Sequence, residues 1–270
     1  MWKERVNKAL RSSTGYQLTK VKSAAGARPP RRRDAAAKKS PMTIAEGWDT
    51  YARQRRAREG TGVGDVWSKP RRIGIDVDRA EDVVPYLDRE IFTPFLGHSE
   101  VLLEIGPGAG RLTEVLLPKC DRLIAVDTSR AMIELLRERF ADQDKIEYVL
   151  SKGRGLKRVS DASVDTAFSY GVFVHLQHWD IFNYLQELNR VLRPGGKALI
   201  QHSNTFSELG WREFRREVPR QLNKHKLHHS FIVNTPELMA EFVRRAGLEV
   251  EDQLTEVVRR DCITLIRKPA

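Results

Sequence analysis

Residues 101–111 read Val-Leu-Leu-Glu-Ile-Gly-Pro-Gly-Ala-Gly-Arg, and this stretch decides the fold. An apolar run ends at Glu104, glycines follow at alternate positions, and the next residues are apolar at helical spacing. The pattern predicts a buried strand, a tight loop and a helix. Glycine suits the loop because the backbone can turn sharply and approach a ligand without an intervening Cβ. Such a βα turn is typical of a nucleotide or nucleoside site at the carboxyl end of a sheet.

The charge of the site indicates which ligand it binds. The third glycine comes one residue early for the dinucleotide fingerprint G-x-G-x-x-G, and Arg111 stands where that pattern needs glycine. Glu104 would repel a pyrophosphate but attract a ligand with ammonium and sulfonium charge. A second apolar run, 123–127, ends at Asp127, where an acid can accept both ribose hydroxyls. Asp127 alone could be a surface acid, but with the loop it favours S-adenosylmethionine over NAD.

Four motifs in order resemble those of the class I S-adenosylmethionine-dependent methyltransferases, especially those that act on small molecules, lipids and glycans. They are Glu-x-Gly-x-Gly-x-Gly at 104–110, Val-Asp at 126–127, Ser-Val-Asp-Thr-Ala-Phe-Ser at 163–169, and Val-Leu-Arg-Pro-Gly-Gly-Lys-Ala-Leu-Ile at 191–200. Each motif is moderately specific, whereas four at this spacing are a strong signal. The resemblance runs from about Ala80 to the C-terminus.

The alternation of patterns predicts an α/β fold. Strands are expected near 101–105, 122–127, 145–150, 163–169 and 196–202, with a closing antiparallel pair at 247–254 and 258–267. Helices are expected near 110–118, 129–140 and 178–192, and after Thr235. The resemblance implies a Rossmann-like seven-stranded sheet, mostly parallel with a C-terminal antiparallel strand. Helices would cover both faces, and an N-terminal helical extension would precede the sheet.

The resemblance also implies which residues hold the cofactor, S-adenosylmethionine. They are Glu104, Gly106, Pro107, Gly108, Gly110, Asp127, Thr128, Met132, Lys152, Gly153 and Tyr170. One departure concerns the loop after the third strand, which often supplies an acid near the adenine. Lys152 stands there instead, so backbone groups are expected to contact the base.

Charge and composition divide the chain into three predicted parts. Residues 1–72 carry a net charge of +13 and the remainder −2, so the basicity belongs to the N-terminal region. Residues 1–41 are predicted to be a basic, disordered arm with a short amphipathic helix. This helix is either a frayed terminal helix with solvated charges or a segment that lies on an anionic membrane. Residues 42–98 would form a helical cap, and 99–270 the catalytic domain, with a substrate-side insertion at 203–234. The aromatic residues Trp48, Tyr51 and Trp67 are either lid residues or packing anchors.

Two cysteines and no long apolar run favour a cytoplasmic protein, with peripheral membrane contact through the arm as an option. Nucleic acid is not expected as a partner, because the arm lacks interleaved aromatic residues. Residues 169–172 read Ser-Tyr-Gly-Val and lack the Asn/Asp-Pro-Pro-Tyr/Phe element of enzymes that methylate nucleobase amines. No metal site is predicted, since His225, His228 and His229 have no Cys or Asp at ligand spacing.

A hydroxyl acceptor needs a base, and His175 is the best candidate, followed by His178 and His202. His175 could equally be a hydrogen-bonded histidine that orients its loop. The first hypothesis is O-methylation of a small metabolite, glycan or lipid headgroup. The alternatives are N-methylation of a lipid amine or basic macromolecule, and a non-catalytic cofactor-binding module docked by its basic arm.

Overall fold

The apolar runs of the sequence form one seven-stranded sheet in the computed structural model of the chain. The strands are β1 (Ser99–Ile105), β2 (Cys120–Asp127), β3 (Ile146–Leu150), β4 (Val164–Ser169), β5 (Leu192–Ser203), β6 (Glu249–Leu254) and β7 (Asp261–Arg267). Their order is β3-β2-β1-β4-β5-β7-β6. β7 runs antiparallel to both of its neighbours, and the other pairs are parallel. This arrangement confirms the predicted Rossmann-like sheet.

The structure describes residues 43–60, 63, 70–224 and 231–270, without the side chains of residues 223 and 224. The predicted basic arm at 1–41 lies outside the described residues. So do Trp67 and the three histidines of the insertion, which are His225, His228 and His229. The predictions made for these residues therefore stay predictions.

Seven helices within the described ranges flank the sheet. They are α1 (Ile44–Glu59), α2 (Val83–Leu87, continued by a π-helical turn, Asp88–Phe92, and by Thr93–Phe95), α3 (Thr113–Leu116), α4 (Arg130–Arg139), α5 (His178–Val191), α6 (Glu208–Lys224) and α7 (Pro236–Arg245). Sequence signals set several of their ends. Thr43 and Glu46 form a capping box at the start of α1, and Gly60 ends that helix. Ser129 and Thr235 cap α4 and α7 through their hydroxyls.

The core lies on both faces of the sheet. Adjacent residues of β1 point to opposite faces. Leu103 belongs to the core cluster that includes Leu185 of α5 and Met239 of α7. Leu102 packs in the opposite cluster, which includes Leu87 of α2. This double covering explains why the parallel strands read as continuous apolar runs rather than as an alternation.

Three elements differ from the sequence prediction. β5 begins at Leu192, four residues earlier than predicted, because Leu192 pairs with Val164 before an irregularity at Pro194-Gly195. The helix predicted at 110–118 is only the short α3 followed by a 3-10 turn at Leu117–Lys119, where Pro118 prevents a longer α-helix. The insertion contains the long helix α6, which sequence analysis missed.

None of the described helices is long and apolar enough to cross a bilayer.

Gly210 fixes the position of α6 and gives a test of this packing. A Cβ added there would lie 1.8 Å from the carbonyl oxygen of Asn204. We therefore expect Gly210→Ala to lower the free energy of unfolding by about 1–3 kcal/mol in thermal or urea denaturation. Glu208→Ala, on the exposed start of the same helix, is the control and should change it by less than about 0.5 kcal/mol. Equal effects of the two substitutions would contradict the packing of α6.

Candidate active site

A cavity of about 430 Å³ lies at the carboxyl ends of β1, β2 and β4. The register of the sheet places its two acids on neighbouring strands. Glu104 pairs with Ala125 of β2 and with Phe168 of β4. Asp127 lies two positions beyond Ala125, at the end of β2. Both carboxylates line the cavity.

Glu104 is a buried acid with one hydroxyl donor beside its carboxylate. The residue is only 3% exposed, and the Thr113 hydroxyl donates a hydrogen bond to its Oε2 at 2.6 Å. Burial raises the pKa of Glu104 to about 7, the Thr113 hydrogen bond opposes this shift, and the charge of Asp127 adds to it. The site therefore favours a positively charged ligand beside Glu104.

Asp127 is held by backbone donors at the end of β2. The Ser129 N–H donates to Oδ1 at 2.8 Å, and the Gly108 N–H donates to Oδ2 at 3.3 Å. Burial raises the pKa of Asp127 to about 6, although these backbone hydrogen bonds favour its ionised form. The carboxylate is thereby oriented toward the glycine loop, where it can accept hydroxyl groups of a ribose.

The glycine loop leaves room for a ligand against its backbone. Gly108 has a φ of 59°, lines the cavity, and would place a Cβ within 4 Å of no other atom. Gly106 has a φ of 72°, and a Cβ there would lie 2.2 Å from Cγ2 of Val172. The Thr128 hydroxyl, at the cavity wall, is buried and has no hydrogen-bond partner among the described residues. The site thus offers two acids, free space beside the Gly108 backbone, and the buried Thr128 hydroxyl. These groups fit the charged amino acid and nucleoside parts of S-adenosylmethionine.

The helix α1 covers this cavity. Its residues Ile44, Trp48, Tyr51 and Arg55 contribute to the lining. Trp48 and Tyr51 make an edge-to-face contact with ring centroids 5.7 Å apart. The sequence left these two aromatic residues between a lid and packing anchors, and the structure places both at the cavity wall.

Asp49 connects α1 to the first turn of α4. The Ser129 hydroxyl and the Ala131 N–H donate to its Oδ1 at 2.6 and 3.0 Å. Burial acts to raise the pKa of Asp49, but these hydrogen bonds and the nearby arginines hold it below its usual value. Because Ser129 also donates to Asp127, the lid and the end of β2 share one hydrogen-bonded chain.

The three candidate bases occupy different environments. His175 ends a 3-10 turn after β4, lines the cavity, and contacts Trp48 with ring centroids 5.6 Å apart. His178 lies outside the lining and donates from Nε2 to the Val233 carbonyl at 2.6 Å. His202 is fully buried in β5, and both of its ring nitrogens are bonded. Burial lowers the pKa of His202 to about 4.

Most of the predicted cofactor residues come together at the cavity. The lining includes Glu104, Gly106, Pro107, Gly108, Asp127, Thr128, Met132, Gly153 and Tyr170. Lys152 is exposed and lies outside the lining. Gly110 also lies outside the lining. A Cβ there would be 2.4 Å from Cε2 of Phe140, so the glycine leaves room for the Phe140 ring in the neighbouring core.

Sequence reasoning missed Asp49 and a buried polar group behind the β4 loop. Gln201 accepts from the Gly171 N–H at 2.7 Å and donates to Asp261, which also pairs with Arg260 at 2.6 Å. These residues hold the loop that carries Tyr170 and leads to His175. Asp49 follows Trp48 inside a basic helix, and Asp261 follows two arginines. Both resembled solvated surface charges in the sequence.

Within the described ranges, no three His, Cys, Asp or Glu side chains are grouped so that they could hold a metal ion.

The Asp49 contact gives a test of the lid. We expect Asp49→Ala to weaken S-adenosylmethionine binding by about 5- to 30-fold, because two hydrogen bonds to α4 are lost. Trypsin should also cleave the arginines of α1 faster. Asp49→Asn keeps an acceptor oxygen and should have a smaller effect in both calorimetry and proteolysis. A cleavage rate in Asp49→Ala equal to the parent's would show that α1 is not held by this residue.

The raised pKa of Glu104 gives a second test. Its usual value of 4.5 rises to about 7, so ionised Glu104 destabilises the ligand-free fold progressively as pH rises through this range. We expect Glu104→Gln to be more stable at pH 8 than the parent by about 1–3 kcal/mol, relative to the difference at pH 4. The same variant should lose S-adenosylmethionine affinity. Thermal unfolding measures the stability and calorimetry the affinity. If Glu104→Gln were less stable than the parent at pH 8, ionised Glu104 would not be destabilising.

Comparisons with known proteins agree with this geometry. Residues 103–200 match a family described as "Methyltransferase domain". A "Probable S-adenosylmethionine-dependent methyltransferase" of Mycolicibacterium smegmatis is 34% identical over 155 residues, which are 57% of this chain and 53% of that protein. A "Probable fatty acid methyltransferase" of Pseudomonas putida is 26% identical over 161 residues, 58% of this chain and 40% of that protein. The chain thus spans about half or less of these two relatives.

The fold has solved counterparts as well. A S-adenosylmethionine-dependent methyltransferase from Aquifex aeolicus aligns with a TM-score of 0.53 at 18% identity, over 73% of this chain and 97% of that one. The strand order, the acids at the ends of β1 and β2, and the matched domain agree with one another. The domain containing residues 103–200 therefore belongs to the class I S-adenosylmethionine-dependent methyltransferases, whose cofactor is S-adenosylmethionine.

Proposed function

We propose that this chain transfers the methyl group of S-adenosylmethionine to a hydroxyl on a small metabolite, glycan or lipid headgroup, with His175 as the base. The position of His175 carries the proposal. Among the described residues it is the one histidine that lines the cavity. It also follows β4, at the edge where the cofactor acids lie.

The bound cofactor supplies an electrophilic methyl group on a sulfonium centre. The residues of the chain then have to bind this cation, orient the acceptor and exclude water. Glu104 and Asp127 supply the negative charge, and the shared hydrogen bonds of Ser129 hold Asp127 and the lid together. Trp48 and Tyr51 cover the cavity with apolar ring surface, which reduces the access of water.

His175 can take the proton that a hydroxyl acceptor releases. Its backbone N–H donates to the Val172 carbonyl at 2.9 Å, and its ring lies against Trp48. These contacts fix the turn and restrict the ring. A positioned imidazole typically accelerates proton transfer by roughly 100- to 10,000-fold.

The charges of the cavity favour a neutral or anionic acceptor over a cationic amine. Its charged lining residues are Glu104, Asp127, Arg55 and Arg111. S-adenosylmethionine has a net charge of +1, because its carboxylate offsets one of its two cationic groups. With Glu104, Asp127 and the two arginines ionised, the loaded cavity therefore keeps a formal charge of +1. Arg55 is partly neutralised by Glu59, which it contacts at 2.7 Å. The Pseudomonas putida relative, whose name refers to a fatty acid, is compatible with an acceptor of this kind.

The histidine is tested by His175→Ala. We expect kcat to fall at least 100-fold, with the dissociation constant of S-adenosylmethionine changed by less than about threefold, because His175 does not provide the cofactor's countercharge. An acceptor screen with labelled cofactor supplies the substrate for the assay. His178→Ala is the matched control, since its ring lies outside the cavity, and should retain turnover.

Unchanged turnover in His175→Ala would remove this residue from the role of base and would favour N-methylation, where a neutral amine needs no base. Calorimetric binding of S-adenosylmethionine without any S-adenosylhomocysteine in the acceptor screen would instead support a non-catalytic binding module.

A further inference from the structure

The described residues expose seven large apolar side chains. They are Ile44, Trp179, Phe206, Trp211, Val218, Leu222 and Val233. Trp179 starts α5, Phe206 follows β5, and Val233 precedes α7. All three elements meet at the carboxyl edge of the sheet, where the cavity opens. Such a group of exposed apolar side chains is typical of an interaction surface.

Hydrogen bonds bring several of these exposed residues together. His178, beside Trp179, donates to the Val233 carbonyl at 2.6 Å. The Thr205 N–H, beside Phe206, donates to the Asn234 carbonyl at 2.9 Å. The segment that holds Val233 therefore lies between the start of α5 and the start of α6.

The helix α6 carries the most ordered part of this surface. Trp211, Arg215, Val218 and Leu222 follow one another at intervals of four, three and four residues. At about 100° per residue they fall within an arc of about 60° on one side of the helix. Trp211 is 50% exposed and Leu222 is 74% exposed. We name Trp211, Arg212, Arg215, Val218 and Leu222 the α6 face.

The charges of α6 are sorted between its two sides. Glu213 and Glu217 lie on the inner side, where their side chains are 12% and 10% exposed. Glu213 pairs with Arg72 and Arg216, and Glu217 pairs with Arg220 at 2.6 Å. Arg212 and Arg215 are exposed, and no ion pair forms with either of them within the described ranges. The α6 face thus presents apolar groups together with uncompensated positive charge.

We propose that the α6 face docks this chain on an anionic lipid surface. A single apolar row with a tryptophan and flanking arginines is the pattern of helices that lie in the headgroup region of a bilayer. Each arginine near such a surface contributes about 1 kcal/mol, and the apolar row enters the acyl boundary. The proposal needs no assumption about the acceptor or about catalysis.

A second copy of the chain fits this face less well. A two-fold interface centred on the α6 face would place the same patch against itself. Arg212 and Arg215 would then approach the corresponding arginines of the other copy, without an exposed acid in the patch to pair with them. A bilayer that contains anionic lipid supplies the missing negative charge.

Vesicle sedimentation of the full chain tests the charge dependence. The probes are phosphatidylcholine vesicles with and without 30% phosphatidylglycerol. We expect binding only to the anionic vesicles, weakened by salt. Arg212→Gln with Arg215→Gln should lower the partition coefficient by about 30-fold, the equivalent of two surface charges. The control, Arg244→Gln with Arg245→Gln at the end of α7, removes equal charge at the opposite edge and should lower it by less than threefold.

A fluorescent probe then distinguishes the α6 face from the basic arm, which could also bind vesicles. Cys120 and Cys262 are 2% and 0% exposed, so a cysteine introduced by Leu222→Cys can be labelled selectively with an environment-sensitive dye. We expect its emission to shift to the blue on addition of anionic vesicles, whereas the dye at Arg245→Cys should not respond. Circular dichroism and S-adenosylmethionine binding verify that each variant is folded.

Three results would overturn the proposal. The first is no sedimentation with anionic vesicles at low salt. The second is sedimentation with a silent dye at position 222, which would assign docking to another part of the chain. The third is a dye response that depends on protein concentration without vesicles, which would assign the face to a second copy. None of these results depends on whether the chain shows methyltransferase activity.

Discussion

The architecture of the site depends on the cost of holding two carboxylates out of water at the ends of adjacent parallel strands. Glu104 and Asp127 are buried, and burial raises the pKa of both. The protein supplies one hydroxyl donor to Glu104 and backbone donors to Asp127. A ligand with positive charge recovers the lost solvation. The same desolvation that weakens the empty fold therefore supplies selectivity for a sulfonium-bearing cofactor.

The helix α1 is connected to this site by the hydrogen bonds of its Asp49. Asp49 caps the first turn of α4 from outside that helix, and its lowered pKa reflects donors that are already in place. Ser129 donates to Asp127 through its backbone and to Asp49 through its side chain. Ser129 thus contacts both α1 and the cofactor acid. The lid also sets Trp48 against His175.

The sheet could be predicted because each buried strand is a continuous apolar run that ends in a chemically distinctive residue, such as Glu104 or Asp127. Features that depend on contacts between residues distant in the sequence could not be predicted. No helix was predicted in the insertion at 203–234, which contains Pro219, whereas tertiary packing around Gly210 supports α6 there. The sequence favoured His175 over His178 and His202 as the base, but it did not show what surrounds each of these three side chains. Their burial and cavity contacts, which separate His175 from His202, arise only when β4, β5 and α1 meet.

The measurement that tests the account most directly is calorimetry of S-adenosylmethionine binding between pH 5 and 7.5, in buffers of different ionisation enthalpy. A ligand cation should favour the ionised forms of Glu104 and Asp127, whose pKa values are about 7 and 6 in the free protein. The account predicts that affinity rises with pH across this range and that binding releases protons. Affinity independent of pH, or proton uptake on binding, would contradict it.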